Sequence, residues 1–257
     1  MPKTTDRLWN REELILAFNL YSKTPFGRID QRNPEIIALA QILGRTAASV
    51  TWKLSNFARL DPALKARGIK GASHGSKREI EVWNEFNESW DTLAFEGERL
   101  RAKMLGQSVE RLNGIDEREL PTEGKERERL VKVRVNQRLF RSAVLAAYGN
   151  RCCITGISVP ALLSASHIAP WSVDSKNRMN PKNGLCLSLV HHRAFDIGLI
   201  KITAQFRVKV SSTLLKIQND EAVETFFGRY DGQPVRLPNR FLPDPKLLRR
   251  HSRLFVP

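Results

Sequence analysis

The sequence predicts an α+β protein with an α-helical N-terminal module, a charged helical connector and a C-terminal domain of mixed helix and strand. Three observations lead to this prediction: capped helical patterns in residues 1–75, an acidic stretch in residues 76–130, and a strand–loop–strand–helix pattern in residues 131–257. Residues 1–75 carry 12 basic and 6 acidic side chains, residues 76–130 carry 10 basic and 14 acidic, and residues 131–257 carry 20 basic and 7 acidic. The formal net charge of the 257 residues is +15. Two basic segments around an acidic one indicate two modules that bind a polyanion, joined by a connector.

Helix start and stop signals follow one another closely in residues 1–75. Asn10 is a suitable N-cap for a first helix, Asn33 for a second and Thr46 for a third, and Gly44 marks the end of the second helix. The apolar face of the third helix is predicted at i, i+4 and i+7, at Val50, Leu54 and Phe57.

The second and third helices, joined through a glycine turn, have the layout of a helix-turn-helix. The stretch LGRTAASVTWKL resembles the Myb/SANT-like and homeodomain-like three-helix units, which implies that the third helix engages DNA. The residues expected to face solvent or bases are Ser49, Thr51, Trp52, Lys53 and Asn56. Lys53 is suited to a phosphate and Asn56 to an adenine edge. A small helical bundle needs the same caps and stripes and is the alternative interpretation.

Residues 76–130 predict a connector with two parts. Residues 76–112 predict helix, with an apolar stripe at Ile80, Trp83, Phe86 and Trp90. This stripe packs either on the first module, which we favour, or on a second copy of the chain in a homodimer. Residues 113–130 combine many charges with two glycines and a proline, which is typical of a linker, so we expect the domain boundary there.

The C-terminal segment predicts a helix followed by a small strand and helix unit. Its elements are a helix over 136–148, a strand into 164–168, a loop over 180–184, a strand over 185–189 and a helix that opens near His191. Beyond it, residues 199–211 alternate like strands and residues 220–230 suggest a short helix. The chain ends with clustered arginines, of which Arg249 and Arg250 are candidates for phosphate contacts; a solvated basic terminus is the alternative.

The motifs of this region resemble those of the HNH endonucleases, in the branch with the pattern C-x-x-T-G, H-I-x-P-W, N-G-L and H-x-x-F-D-x-G. The matching residues are Cys152, Thr155 and Gly156, then His167, Ile168, Pro170 and Trp171, then Asn183, Gly184 and Leu185, and last His192, Phe195, Asp196 and Gly198. The resemblance covers about residues 131–200. It implies a ββα-metal fold and metal-dependent hydrolysis of double-stranded DNA, in a bacterial restriction or defence role.

Phosphodiester hydrolysis needs an activated water and charge neutralisation on the phosphoryl and leaving oxygens. His167 is the predicted general base, because histidine titrates near neutral pH. The resemblance implies that Asn183 ties the loop between the strands together and steadies that geometry, and that His192 completes the catalytic set with these two.

A divalent metal site is predicted on the last helix of the unit. His192 and Asp196 are four residues apart and therefore share one helix face. The predicted ion is Mg²⁺, with Mn²⁺ or another transition metal as the alternative. Many HNH enzymes supply a further ligand, Asp or His, from the residue before the catalytic histidine. Here that residue is Ser166, a poor ligand, so the metal depends on His192 and Asp196 with a backbone oxygen or the substrate phosphate.

The composition disfavours several other classes of protein. There is no apolar run long enough to span a membrane and no secretory signal at the N-terminus, so we expect a cytoplasmic protein with no membrane partner. Cys152, Cys153 and Cys186 cannot complete a four-cysteine zinc site and are expected in the core. The predicted partner is double-stranded DNA. The competing interpretation is a non-catalytic DNA-binding regulator that kept the HNH fold. A toxin-type nuclease is less favoured.

Overall fold

The protein is described from a computed structural model, which defines residues 7–69, 75–170, 173–174, 177–217 and 219–255. Its contacts divide the chain into two compact units, the first ending at Ala143 and the second beginning at Val144.

The described part of the first unit is built from helices. They are α1 (Arg11–Lys23), α2 (Pro34–Leu43), α3 (Ala47–Leu60), α4 (Pro62–Ala66), α5 (Lys77–Phe86), α6 (Trp90–Leu105), α7 (Val109–Leu112) and α8 (Lys125–Ala147), the last of which reaches into the second unit. The predicted starts of the first three are confirmed: the side chains of Asn10, Asn33 and Thr46 each accept a hydrogen bond from a first-turn amide. Gly44 ends α2 in the left-handed conformation, as predicted.

The core of the first unit is centred on Phe18 of α1. Its ring lies 4.9 Å from that of Phe57 on α3 and 5.1 Å from that of Trp83 on α5, measured between centroids. Trp90 of α6 completes the aromatic cluster, with its centroid 6.2 Å from that of Phe18. The aromatic stripe predicted for the connector therefore packs inside the first unit, which is the arrangement favoured by the sequence.

Ile80 does not belong to that stripe, and its predicted burial is wrong. Its side chain is 39% exposed, whereas Val82, Trp83 and Phe86 of the same helix are buried. The inward position one turn before Trp83 is occupied by Glu79, which is fully buried. A charged residue can occupy it because partners on α3 satisfy its carboxylate.

Glu79 gathers a polar network that changes the interpretation of α3. Its Oε1 accepts hydrogen bonds from Lys53 Nζ and, at 3.0 Å, from Asn56 Nδ2, while its Oε2 accepts from the Ser76 amide at 3.1 Å. Asn56 is only 3% exposed, so its predicted exposure toward solvent or bases is wrong, and Lys53 is directed to Glu79 instead. Trp52, at 66% exposed, does face outward as predicted.

Residues 113–130, predicted as a linker, contribute to the core of the first unit. Ile115 and Leu120 are buried against α6 and α8, in a cluster that comprises Ala94, Ile115, Leu120, Val131, Val135 and Leu139. α8 also begins earlier than the predicted helix, and the contacts of the chain divide within it rather than in the linker. The composition of this segment is typical of a linker because charged residues, glycine and proline dominate it. A few well-spaced apolar residues nevertheless suffice to anchor it in the core.

The second unit contains two small antiparallel sheets. β1 (Leu163–His167) pairs with β2 (Gly184–Ser188), with Ser166 opposite Leu185 and His167 opposite Gly184, and β3 (Ile200–Ile202) pairs with β4 (Val208–Val210). Its remaining helices are α9 (Leu189–Asp196), α10 (Ser212–Leu215), α11 (Glu221–Phe226) and α12 (Pro245–His251). The predicted strand–loop–strand–helix order, the alternating strands after residue 199 and the short helix after residue 220 are confirmed.

Removal of the Glu79 carboxylate should destabilise the first unit strongly. Glu79→Ala leaves Lys53 and Asn56 without their buried acceptor, and breaking a buried charged network from one side costs about 3 kcal/mol or more. Thermal and urea unfolding of the full chain would measure the loss. The matched control is Glu81→Ala on the exposed face of α5, expected to change stability by less than about 0.5 kcal/mol. Equal effects of the two substitutions would contradict the prediction.

Candidate active site

The β1–β2 hairpin and α9 bring the predicted site residues of the second unit together. His167 is the last residue of β1, Asn183 immediately precedes β2, and α9 follows β2 without a loop. Ser188 makes that junction possible, because its side chain accepts a hydrogen bond from the His191 amide and caps the helix. His192 and Asp196 then lie one helical turn apart on α9.

His167 is half-buried, and a hydrogen bond to the β1–β2 loop holds its ring. Its Nε2 lies 2.9 Å from the carbonyl oxygen of Arg178, which accepts a hydrogen bond and so fixes the proton of the neutral ring on Nε2. The lone pair of the neutral imidazole is then on Nδ1. Burial lowers the pKa of His167 below its ordinary value of 6.5, although the Arg178 carbonyl and the Asp196 carboxylate oppose that shift. Both effects suit a general base, which must be neutral and correctly oriented.

Asn183 is fully buried and closes the loop that carries Arg178. Its Oδ1 accepts a hydrogen bond from the Ala169 amide at 2.7 Å, and its Nδ2 donates to the carbonyls of Ala169 at 3.2 Å and Asn177 at 3.1 Å. The Asn183 carbonyl also accepts from the Ile168 amide at 2.9 Å. These bonds tie the residues just after His167 to the residues just before Arg178.

His192 makes a close contact with the residue at the expected position of a strand ligand. Its Nδ1 lies 2.7 Å from the hydroxyl oxygen of Ser166, which is fully buried, and 3.5 Å from Oδ2 of Asp196. With Nδ1 in contact with Ser166, Nε2 is the nitrogen of His192 suited to a metal ion. The Ser166 hydroxyl thus holds the imidazole ring of His192 in position.

Asp196 lies in the same electrostatic environment as the two histidines. Burial raises the pKa of its carboxyl above the ordinary 3.8, and His192, Arg193 and His167 oppose the shift. An imidazole and a carboxylate are suitable donors for Mg²⁺, Mn²⁺ or a similar ion, so the donor set fits a divalent metal. Within the described residues, no three His, Cys, Asp or Glu side chains are grouped so that they could hold one, and water and phosphate oxygens would have to complete the coordination.

The residues that hold the loop at Arg178, namely Asp174, Asn177 and Asn180, were not among the predicted site residues. Asp174 accepts hydrogen bonds from the amide and the side chain of Asn177 at 3.1 and 3.0 Å, and Asn177 accepts one from Asn180 at 3.2 Å. Asp and Asn at a spacing of three residues are typical of side-chain-capped turns, and that signal could have identified them. Trp171 of the predicted motif lies outside the described residues.

His191, which directly precedes His192 on α9, has a structural role. Its ring is buried, with Nδ1 2.8 Å from the Ser188 hydroxyl and Nε2 2.7 Å from the Phe226 carbonyl. The three cysteines are buried, as expected, and burial raises the pKa of the Cys153 thiol well above its usual range.

The residues predicted to bind DNA fall into two groups. In the first unit, Ser49 and Thr51 are partly exposed on α3, whereas Lys53 and Asn56 contact Glu79. In the second unit, both arginines lie on α12. Arg249 is exposed, and Arg250 pairs with Asp174 through an Nη1–Oδ2 distance of 3.2 Å.

None of the helices in the described ranges is long and apolar enough to cross a membrane.

Comparison with known proteins identifies one family that matches part of this chain. A search of the curated proteins gives no match. A family model described as HNH endonuclease matches residues 152–203. The matched segment contains β1, β2 and α9 with His167, Asn183 and His192, and the C-terminal part of this chain therefore contains an HNH endonuclease domain.

Proposed function

We propose that the protein is a metal-dependent endonuclease that hydrolyses phosphodiester bonds in double-stranded DNA. The observation that carries this proposal is the orientation of His167, whose Nε2–H donates to the Arg178 carbonyl and whose Nδ1 holds the lone pair. A neutral imidazole held in this way beside an imidazole and a carboxylate on α9 has the parts that water-mediated phosphodiester cleavage needs.

In the proposed reaction, Nδ1 of His167 accepts a proton from a water molecule as the water oxygen attacks phosphorus. The bond from phosphorus to the leaving sugar oxygen breaks, and that oxygen takes a proton from solvent. Asn183 and the Arg178 carbonyl keep the imidazole in the orientation that this proton transfer requires. A divalent ion held by His192 and Asp196 would supply positive charge for the phosphoryl and leaving oxygens. Ser166 holds the ring of His192 through its Nδ1.

Charge supports DNA as the substrate. Residues 131–257 carry 20 basic and 7 acidic side chains, so a polyanion is attracted to this segment. In the first unit, α3 with partly exposed Ser49 and Thr51 is the element proposed to engage DNA, whereas Lys53 and Asn56 act within the fold. We further propose the role of a bacterial restriction or defence nuclease in the cytoplasm, a reducing compartment that suits three buried thiols.

A non-catalytic DNA-binding protein is the second candidate, and Ser166 is the observation that favours it. The hydroxyl stands where a stronger ligand is expected and contacts His192. Incubation of the purified full chain with plasmid DNA and Mg²⁺ or Mn²⁺ separates the two candidates. Retention of DNA without any cleavage would favour the regulator, and mapped ends on methylated and unmethylated DNA would define the specificity of a nuclease.

Replacement of His167 by Ala should abolish most cleavage and leave DNA binding nearly intact. The base acts on the attacking water and not on affinity, and general-base catalysis contributes about 10²–10⁴-fold to a rate. Single-turnover cleavage and fluorescence anisotropy of the same DNA would measure the two effects, with the melting temperature as the control for folding. Cleavage at the wild-type rate would rule out His167 as the base.

The pH dependence of cleavage should follow the lowered pKa of His167. Since burial holds that pKa below 6.5, the neutral base persists into mildly acidic solution and is lost only as the pH falls through the lower value. The profile of kcat/KM should therefore be level at neutral pH, with its acid limb below pH 6.5. DNA affinity measured over the same range is the control. An acid limb above pH 6.5 would contradict the assignment.

Removal of either proposed metal donor should weaken metal binding. His192→Ala and Asp196→Ala are each expected to lower the affinity for Mn²⁺ by about tenfold or more, with part of the activity recovered at higher ion concentration. Calorimetric titration of the protein with Mn²⁺ is the measurement. Glu221→Ala, an exposed carboxylate on α11, is the matched control and should bind as the wild type does. Unchanged affinity in both test variants would exclude these residues as ligands.

A further inference from the structure

We propose that two consecutive residues at the end of α12, Arg250 and His251, position the two halves of the candidate active site. Arg250 holds the β1–β2 loop that orients His167, and His251 holds the last turn of α9 that carries Asp196. Both residues lie beyond the segment matched by the HNH endonuclease family. The catalytic part of this inference rests on the proposed function, whereas the positioning part concerns the protein without DNA or metal.

The contact of Arg250 begins a chain of hydrogen bonds that ends near His167. Arg250 Nη1 lies 3.2 Å from Oδ2 of Asp174, whose carboxylate accepts both the amide and the side chain of Asn177. The carbonyl of Asn177 accepts a hydrogen bond from Asn183 at 3.1 Å. The next residue after Asn177 is Arg178, whose carbonyl accepts the Nε2 proton of His167. Arg250 therefore restrains the loop segment on which the orientation of His167 depends.

The contact of His251 is made with α9. Its ring is parallel to that of Phe195 within 1°, with 3.7 Å between the centroids. Both rings are buried. Phe195 directly precedes Asp196, so a side chain stacked on its ring restrains the final turn of the helix. The Phe195 carbonyl accepts a hydrogen bond from the Gly198 amide at 3.1 Å, and the stacked His251 ring adds a packing contact to this last turn, where helices tend to fray.

The segments on both sides of α12 contact the same two elements. At its start, the Asp244 amide donates to the Lys182 carbonyl in the β1–β2 loop at 3.1 Å. Beyond its end, the chain passes close to the turn that follows α9, where Gly198 has a positive φ of 77°. A Cβ atom at Gly198 would lie 2.1 Å from the Leu254 carbonyl oxygen, so only glycine allows this approach. The residue before α12 thus contacts the loop, and the residues after it approach the turn that follows α9.

These contacts should affect catalysis more than stability. A partly exposed ion pair such as Arg250–Asp174 contributes at most about 1 kcal/mol to folding. A misplacement of about 1 Å in a catalytic group, however, can lower a rate by about 10²-fold. Loss of Arg250 is therefore expected to lower kcat while the protein stays folded and its KM for DNA changes little.

The test compares Arg250→Met with Arg249→Met, which removes the same charge from an exposed position of the same helix. Hydrogen exchange of the full chain without DNA or metal is measured by mass spectrometry. Arg250→Met should speed exchange about fivefold at the amides of Ile168, Ala169 and Asn183. Arg249→Met should leave these amides unchanged and raise only the KM for DNA. Arg250→Lys keeps the charge and should restore slow exchange and most of kcat.

The His251 half is tested with a crossed pattern. His251→Leu removes the aromatic stack, and His251→Phe keeps it, which provides a folded variant if the first one unfolds. His251→Leu should speed exchange at the end of α9, in residues 194–199, His251→Phe should keep it slow, and both should leave Ile168 and Ala169 unchanged. Slow exchange there in His251→Leu, or fast exchange in a folded His251→Phe, would overturn this half of the inference. Identical exchange in Arg250→Met and Arg249→Met, or faster exchange throughout the second unit, would overturn the inference. A wild-type protein that cuts no DNA would refute the proposed function alone, because the exchange pattern is measured without cleavage.

Discussion

The hydrogen bond from His167 Nε2 to the Arg178 carbonyl is the contact on which the candidate site depends. It selects the tautomer of the buried imidazole, and a carbonyl can hold a ring in place only if its own loop is held. Asn183 supplies that restraint from within the loop, and the Asp174–Asn177 pair continues it. The family match at residues 152–203 includes all of these residues. The same requirement explains why a buried asparagine with three side-chain hydrogen bonds stands between the strands.

Ser166 and His192 illustrate how the site differs from the pattern that the sequence resembles. A serine hydroxyl is a weak metal ligand. The Ser166 hydroxyl, however, lies 2.7 Å from Nδ1 of His192 and orients that imidazole. The donor set on α9 is then one imidazole and one carboxylate, with further oxygen atoms required from outside the protein. A site of this kind would bind its ion more weakly alone than with phosphate, which couples metal binding to substrate binding in the proposed nuclease.

In the first unit, internal charge pairing decides which polar residues are available to a partner. Glu79 is fully buried and engages both Lys53 and Asn56, and Glu13 is likewise buried against Arg45 with an Nη2–Oε2 distance of 2.9 Å. Lys53 on α3 and Arg45 just before it therefore stabilise the helical core, although composition alone assigns such residues to a polyanion. A net positive charge describes the attraction of a chain for nucleic acid, but it does not identify the residues that make contact.

The sequence by itself determined the helix caps at Asn10, Asn33 and Thr46, the ββα order of the second unit and the grouping of His167, Asn183 and His192. These follow from local rules, because capping, strand alternation and motif spacing depend on residues close in the chain. Only the tertiary structure decided that Glu79 faces inward in place of Ile80, and that the apolar residues of 113–130 join a core. It also decided that Arg250 and His251 bridge Asp174 and Phe195, because partners distant in sequence leave no periodic signal in one chain.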